Sequence, residues 1–260
     1  MTEEKLSIIE ALKTICEDLF SKRVISRVLA FTEGEIKEIP VVSLITNPEG
    51  LKGLKWDESC NKPLAKLLLG LKPKTAIIAR PYDARAVVMY INENQLKRDD
   101  VFIIGVGKDA SDFPVFDAFA KDPSPLQSAR EPSPSRGSLD FFLAEIDRCI
   151  LCYACRQACW GCYCPSCFME RGIPDWTPAG VGREAKIAFH LGRTMHLAGR
   201  CVECGGCKTA CPSGVNLKYL IDSLTQMCYE EYGHKAGMEE GARDPLSDYR
   251  CDDGQPGFLE

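Results

Sequence analysis

Apolar residues recur at Leu6, Ile9, Leu12, Ile15, Leu19 and Phe20. That spacing of three to four marks one face of an amphipathic helix over residues 3–20. Two short β-branched runs follow at 24–31 and 39–45, and Thr32-Glu33-Gly34 offers a turn between them. The rhythm then changes to strand, helix, strand. Residues 75–79 read as a buried strand, 84–96 as a helix, and 101–106 as a second strand running into Gly105 and Gly107. Such alternation predicts an α/β unit over residues 1–108, with a parallel or mixed sheet covered by helices.

The pattern breaks after that. Residues 121–138 contain four prolines and five serines and have no periodic apolar face, so 109–138 is read as a linker or wrapping arm. A second unit is expected over 139–228. It includes a helix at 181–198 whose apolar face would be Ile187, Ala188, Leu191, Met195 and Ala198. The segment from Met227 onward carries nine acids against three bases, and 229–260 is read as a solvated acidic tail.

Composition adds exclusions. A hydrophobic fraction of 45% supplies a real core, and a net charge of −5 argues against nucleic acid or a polybasic membrane surface. No apolar run approaches the roughly 18 residues of a membrane span, and the acidic start MTEEKLSIIEAL lacks the features of a secretory signal. A cytoplasmic location is expected. Cysteine is the outlier. There are 15, an odd number, and 11 of them fall between Cys149 and Cys211. A reducing compartment would not maintain a disulfide framework, so this density points to metal.

The spacing says which metal. Cys149-x2-Cys152-x2-Cys155-x3-Cys159 is repeated as Cys201-x2-Cys204-x2-Cys207-x3-Cys211-Pro212. In two-cluster ferredoxins three close thiolates hold three corners of a 4Fe–4S cubane, and the fourth cysteine of the run serves the other cluster. The expected ligand sets are therefore Cys149, Cys152, Cys155 and Cys211 for one cluster, and Cys201, Cys204, Cys207 and Cys159 for the other. The bland alternative, structural zinc, uses pairs of C-x2-C rather than triplets plus a fourth. The long helical insertion between the runs suits a mostly α-helical, ferredoxin-like dicluster domain beside the α/β unit. His190 and His196 on that insertion are expected to pack or hydrogen-bond, since thiolates already suffice.

Two further features stay open on the sequence. Cys162, Cys164 and Cys167 either are spare buried thiols or form a third 4Fe–4S site with Cys60, which opens an expected helix at 61–69 whose dipole would favour thiolate. Cys16, Cys228 and Cys251 read as structural. Arg80-Pro81-Tyr82-Asp83-Ala84-Arg85 follows a strand and opens a helix, so Arg80 and Asp83 either line an anion or cofactor loop or simply cap a helix start.

With these residues in place, the chain resembles the β-subunit family of coenzyme F-420 hydrogenases and formate dehydrogenases. The resemblance rests on SCNKPLAKLLL, on AIIARPYDARAVV with VFIIGVGK downstream, and on CVECGGCKTACPSGV. It implies an α/β domain joined to a dicluster ferredoxin domain that passes electrons between partner subunits in a hetero-oligomeric complex. Some family members also bind a flavin that exchanges hydride with a soluble coenzyme. Tyr82 stands where relatives often carry cysteine, and no segment of this chain reads as a flavin site. The expected function is that of an iron–sulfur electron-transfer subunit of an anaerobic oxidoreductase complex such as a hydrogenase, formate dehydrogenase or heterodisulfide-reductase-like assembly. The alternatives are a flavin-bearing reductase subunit acting on F-420 or ferredoxin, and a zinc-stapled interaction module.

Overall fold

A computed structural model of the chain describes residues 3–36, 38–122, 139–170 and 180–246. Helix α1 (Glu3–Ser21) buries Ile8, Leu12, Cys16 and Leu19, a stripe one position removed from the expected one at its start. Five strands follow: β1 (Arg27–Glu33), β2 (Pro40–Ile45), β3 (Thr75–Ala79), β4 (Val101–Gly107) and β5 (Ala118–Lys121). Their order is β2-β1-β3-β4-β5; β1 and β2 pair antiparallel and the remaining pairs are parallel. All five residues of β3 are buried, which is why this central strand reads as an uninterrupted apolar run rather than an alternation.

Local boundaries depart from the sequence reading for identifiable reasons. Thr32 and Glu33 do not turn. They pair with Val41 and Pro40, and Thr32 Oγ1 lies 2.6 Å from Ser43 Oγ across the hairpin. Helix α2 (Pro81–Asn92) starts earlier than residue 84, because Pro81 suits the first turn and Asp83 meets its positive end. The helix expected at 61–69 is only a 3-10 turn, Ala65–Leu68. Asp83 holds it from a distance, accepting hydrogen bonds from Leu64 N at 2.7 Å and Ala65 N at 3.1 Å. The sheet also runs beyond residue 108. Asp117 accepts from Ile103 N and pairs with Arg98, both at 2.7 Å, which secures β5 inside the stretch read as linker. The Pro/Ser-rich residues 123–138 lie outside the described residues.

The second unit is helical, as expected. It consists of α3 (Leu139–Asp147), α4 (Ala154–Ala158), α5 (Arg183–Leu197), α6 (Gly206–Thr209) and α7 (Leu217–Tyr232). Among the described residues no helix is long and apolar enough to cross a membrane.

Helix α2 joins the two units. Trp160, Val202 and Ala236 belong to the same buried cluster as the sheet and α2. Tyr90 of α2, with no exposed surface, sets its ring edge-on to Trp160 at 5.3 Å and donates its hydroxyl to the Trp160 carbonyl at 2.7 Å. Arg85 donates to the carbonyls of Ala236 (2.8 Å) and Val202 (3.3 Å) and pairs with Glu203 at 3.2 Å. Beneath α4, Lys66 Nζ donates to the carbonyls of Arg156, Gln157 and Cys162, satisfying oxygens at that helix's end.

The start of the acidic tail is docked rather than solvated. Ala236 and Asp244 are buried, and Asn92 donates to the carbonyls of Glu239 and Ala242 while accepting from Gly241 N. Net charge misled the reading here, because backbone carbonyls and small residues make the contacts. Gly237 lies in the left-handed region (φ 69°), and a β-carbon there would fall 2.1 Å from the Arg85 carbonyl oxygen.

Two predictions follow from this packing. Gly237→Ala should destabilise the protein by about 2–3 kcal/mol and open residues 233–246 to proteolysis before the rest of the chain. Limited proteolysis alongside thermal unfolding checks this, and unchanged cleavage would contradict it. Burial pushes the Asp83 carboxyl up to about 6, against the hydrogen bonds from Leu64 and Ala65. A raised acid loses stability as pH climbs from its unfolded value through its folded one, by up to about 1.4 kcal/mol per pH unit. Asp83→Asn keeps an accepting oxygen without the charge, so its unfolding temperature relative to the unaltered protein should rise between pH 5 and 7.

Candidate metal centre

The two cysteine runs share one backbone design. After Cys149, Leu151 (φ 52°) and Tyr153 (φ 59°) take left-handed conformations before α4; after Cys201, Glu203 (φ 60°) and Gly205 (φ 72°) do the same before α6. Three of those four residues are not glycine, and each left-handed residue costs about 1 kcal/mol or more. The strained turns aim backbone donors at sulfur. Leu151 N lies 3.3 Å from Cys149 Sγ and Glu203 N 3.4 Å from Cys201 Sγ, and Val215 N approaches Cys211 Sγ at 3.3 Å. Donors so placed stabilise thiolate and metal-bound sulfur alike.

The sulfurs gather around two cavities. Cys149, Cys152, Cys155 and Cys211 line one, together with Phe189, His190, Val215 and Leu217. Cys159, Cys201, Cys204 and Cys207 line the other, beside Trp160, Arg193, Leu197 and Ile221, and both are partly open to solvent. The last cysteine of each run therefore faces the other run's cavity. Among the described residues no three Cys, His, Asp or Glu side chains converge on a point that would hold a single ion. Four soft sulfurs spread round an apolar hollow fit a polynuclear iron–sulfur group, whose iron corners each take one thiolate.

Burial makes these thiols reluctant to ionise by themselves. It pushes Cys155 up to about 11 and Cys201 up to about 12, and raises Cys149, Cys204 and Cys207 as well. Cys159 moves the other way, because the Cys162 thiol donates to it. Loading metal would therefore release protons from most of the set. His190 is almost fully buried with Nε2 at 3.1 Å from Cys149 Sγ, and burial, then nearby Arg193, lowers it to about 4, so the ring is neutral. His196 stacks on Phe168 at 4.6 Å. His190 thus hydrogen-bonds and His196 stacks, in keeping with a packing or hydrogen-bonding role.

The four cysteines of the third expected set are not brought together. Cys60 is fully buried in the α/β core, its thiol directed at the Lys55 carbonyl at 3.6 Å. No helix begins there, and burial pushes its thiol up to about 11 rather than favouring thiolate. Cys162 packs against the cluster of Cys159, Leu197 and Ile221; Cys167 packs against the separate cluster that contains Cys155 and Met169; Cys164 is exposed. Cys16 and Cys228 are buried, and Cys251 lies outside the described residues.

Arg80 and Asp83 are likewise engaged within the protein. Asp83 caps the 3-10 turn, while Arg80 donates to the carbonyls of Cys60 (2.7 Å) and Asp57 (3.3 Å) and lies over the Trp56 ring at 4.6 Å. The capping reading accounts for both.

The buried face of α5 also differs from the apolar one expected. Leu191 and Met195 are exposed, and Phe189, His190, Arg193 and Leu197 turn inward. A face that meets sulfur-lined cavities accepts polar donors, so hydrophobicity alone chose the wrong side. Sequence reasoning accordingly missed Arg193. The available signal was its position, three residues after His190 and four before Leu197 on one helical face.

Residues 148–216 match the 4Fe-4S dicluster domain family. A stretch of 102 residues, 39% of this chain, is 29% identical to the F420-dependent formate dehydrogenase subunit beta of Methanocaldococcus jannaschii. That stretch spans only 26% of the relative's length. The chain thus carries a 4Fe–4S dicluster domain and is similar to the β-subunit family of F-420-linked formate dehydrogenases and hydrogenases.

Proposed function

We propose that the protein is an electron-transfer subunit holding two 4Fe–4S clusters, one on Cys149, Cys152, Cys155 and Cys211, the other on Cys201, Cys204, Cys207 and Cys159. The observation that carries this reading is the sorting of those eight sulfurs into two cavities, with Cys159 and Cys211 exchanged between runs. When bound, such clusters accept and donate single electrons at potentials set by burial, local charge and hydrogen bonds to sulfur. This chain's own residues supply those settings. The amides of Leu151, Glu203 and Val215 donate to sulfur, and Phe189, Leu217, Leu197 and Ile221 keep the surroundings apolar. The sealed contact with α2 covers Trp160, which lines the second cavity.

The resemblance to a subunit of a larger enzyme supports a role inside a hetero-oligomeric, cytoplasmic oxidoreductase complex, with electrons entering and leaving through partners. Arg80 and Asp83 are spent on internal contacts, which favours a relay over a flavin-bearing reductase.

Anaerobically isolated protein should contain about eight iron and about eight acid-labile sulfide per chain, without stoichiometric zinc or flavin. About twelve iron would call for a third cluster, stoichiometric flavin would favour the reductase, and zinc without sulfide would sink the relay. The exchange of ligands has its own test. Cys211→Ser should alter the electron paramagnetic resonance signal that Cys152→Ser also alters, and Cys159→Ser the signal that Cys204→Ser alters. If Cys211→Ser instead groups with Cys204→Ser, each run is self-contained.

A further inference from the structure

Between the two cavities lies a charge that the relay reading does not yet use. Arg193 of α5 is only 4% exposed. Its Nη2 donates to the Cys155 carbonyl at 3.2 Å, a residue of the first cavity, while the side chain lines the second cavity beside Cys159 and Cys207. Its Nε is buried without a hydrogen-bond partner. The other charged residues lining the second cavity are paired: Lys218 with Asp222, and Glu203 with Arg85. The first cavity is lined by no residue more charged than neutral His190. Among the described residues lining either cavity, Arg193 is therefore the one cation with no carboxylate at ion-pair distance.

A buried, unpaired guanidinium costs several kcal/mol unless negative charge lies nearby. Here the available negative charge is sulfur. Although burial opposes it, the neighbouring sulfurs of Cys159, Cys162, Cys155 and Cys207 favour the charged guanidinium. Three of those four come from the two proposed ligand sets, and they represent both. The attraction is mutual, so a fixed positive charge must stabilise added negative charge at either centre.

We infer that Arg193 is a shared electrostatic tuner of the two centres, a fixed cation at their seam that raises the reduction potential of both, and more so of the one lined by Cys159, Cys201, Cys204 and Cys207. This rests on the two-cluster reading and assigns to the chain a residue that acts on the clusters without ligating them. Because it lines the second cavity and holds the Cys155 carbonyl of the first set, its charge acts on both centres.

The test uses the full chain, anaerobically purified, with redox titrations followed by electron paramagnetic resonance. Two resolved reducible centres in the unaltered protein establish the background, and their absence would count against the two-cluster reading itself rather than this inference. Arg193→Gln retains a donor for the Cys155 carbonyl but removes the charge; Arg193→Lys retains the charge. The glutamine variant should lower both midpoint potentials, the Cys201-run centre further, and the lysine variant should restore most of that loss. Unchanged potentials in a glutamine variant that keeps both clusters would overturn the inference, as would equal shifts in the two variants. Should the glutamine variant fail to assemble, protein grown with 15N-guanidino arginine carries the test. Nitrogen hyperfine coupling to both reduced centres, lost in Arg193→Lys, is then expected, and its absence at either centre overturns the assignment.

Discussion

Placing sulfur that must carry negative charge inside an apolar shell is the constraint on which the rest of this structure depends. Burial alone would keep most of these cysteines protonated. The protein answers with three kinds of compensation: backbone donors aimed at Cys149, Cys201 and Cys211, a neutral histidine against Cys149, and the Arg193 guanidinium between the cavities. The left-handed Leu151, Tyr153 and Glu203 are intelligible in that light. Each is locally unfavourable; Leu151 and Glu203 are held with their amides at a sulfur, and Tyr153 with its carbonyl accepting from Arg156 N and Gln157 N at the start of α4.

The α/β unit serves the same end from outside. Helix α2 is buried with the sheet and with Trp160, Val202 and Ala236, so it backs the segments that carry Cys159 and Cys201. Its polar residues are spent on the join. Arg85 reaches Ala236, Val202 and Glu203, Tyr90 reaches Trp160, and Asn92 holds residues 239–242. Glu93 receives Arg200 at 2.6 Å and Tyr163 at 2.7 Å, which fixes the loop after Cys162 against the same helix end. A strand–helix opening that could have held an anion is here an architectural joint.

What was legible in the sequence divides along a physical line. Features set by short spacing were readable: the central strand β3, the helix α1, and the doubled cysteine run of the dicluster domain. Features set by a partner distant in the chain were not. Asp83 reorganised the segment after Cys60 from eighteen or more residues away, so a helix expected there became a 3-10 turn and its cysteine a core residue. Arg98 and Ile103 drew β5 out of a stretch that reads as linker. Arg193 was hidden by the premise that inward helical faces are apolar, a premise that fails where the interior is lined with sulfur.

The exchange of Cys159 and Cys211 between cavities has a consequence for biosynthesis. A ribosome releases the first run well before the second, yet the cavity that begins at Cys149 is not closed until Cys211 has emerged. Cys159, meanwhile, waits beside Cys162 for three partners not yet made. Under the proposed ligand sets the centre begun at Cys149 cannot be finished during synthesis of its own run, and the two sets become complete within a few residues of each other. A chain ending before Cys201 would present four thiols of the two proposed sets and could close neither cavity. With the proposed ligand sets, loading of both centres waits on the second run, a dependence written into the order of the cysteines.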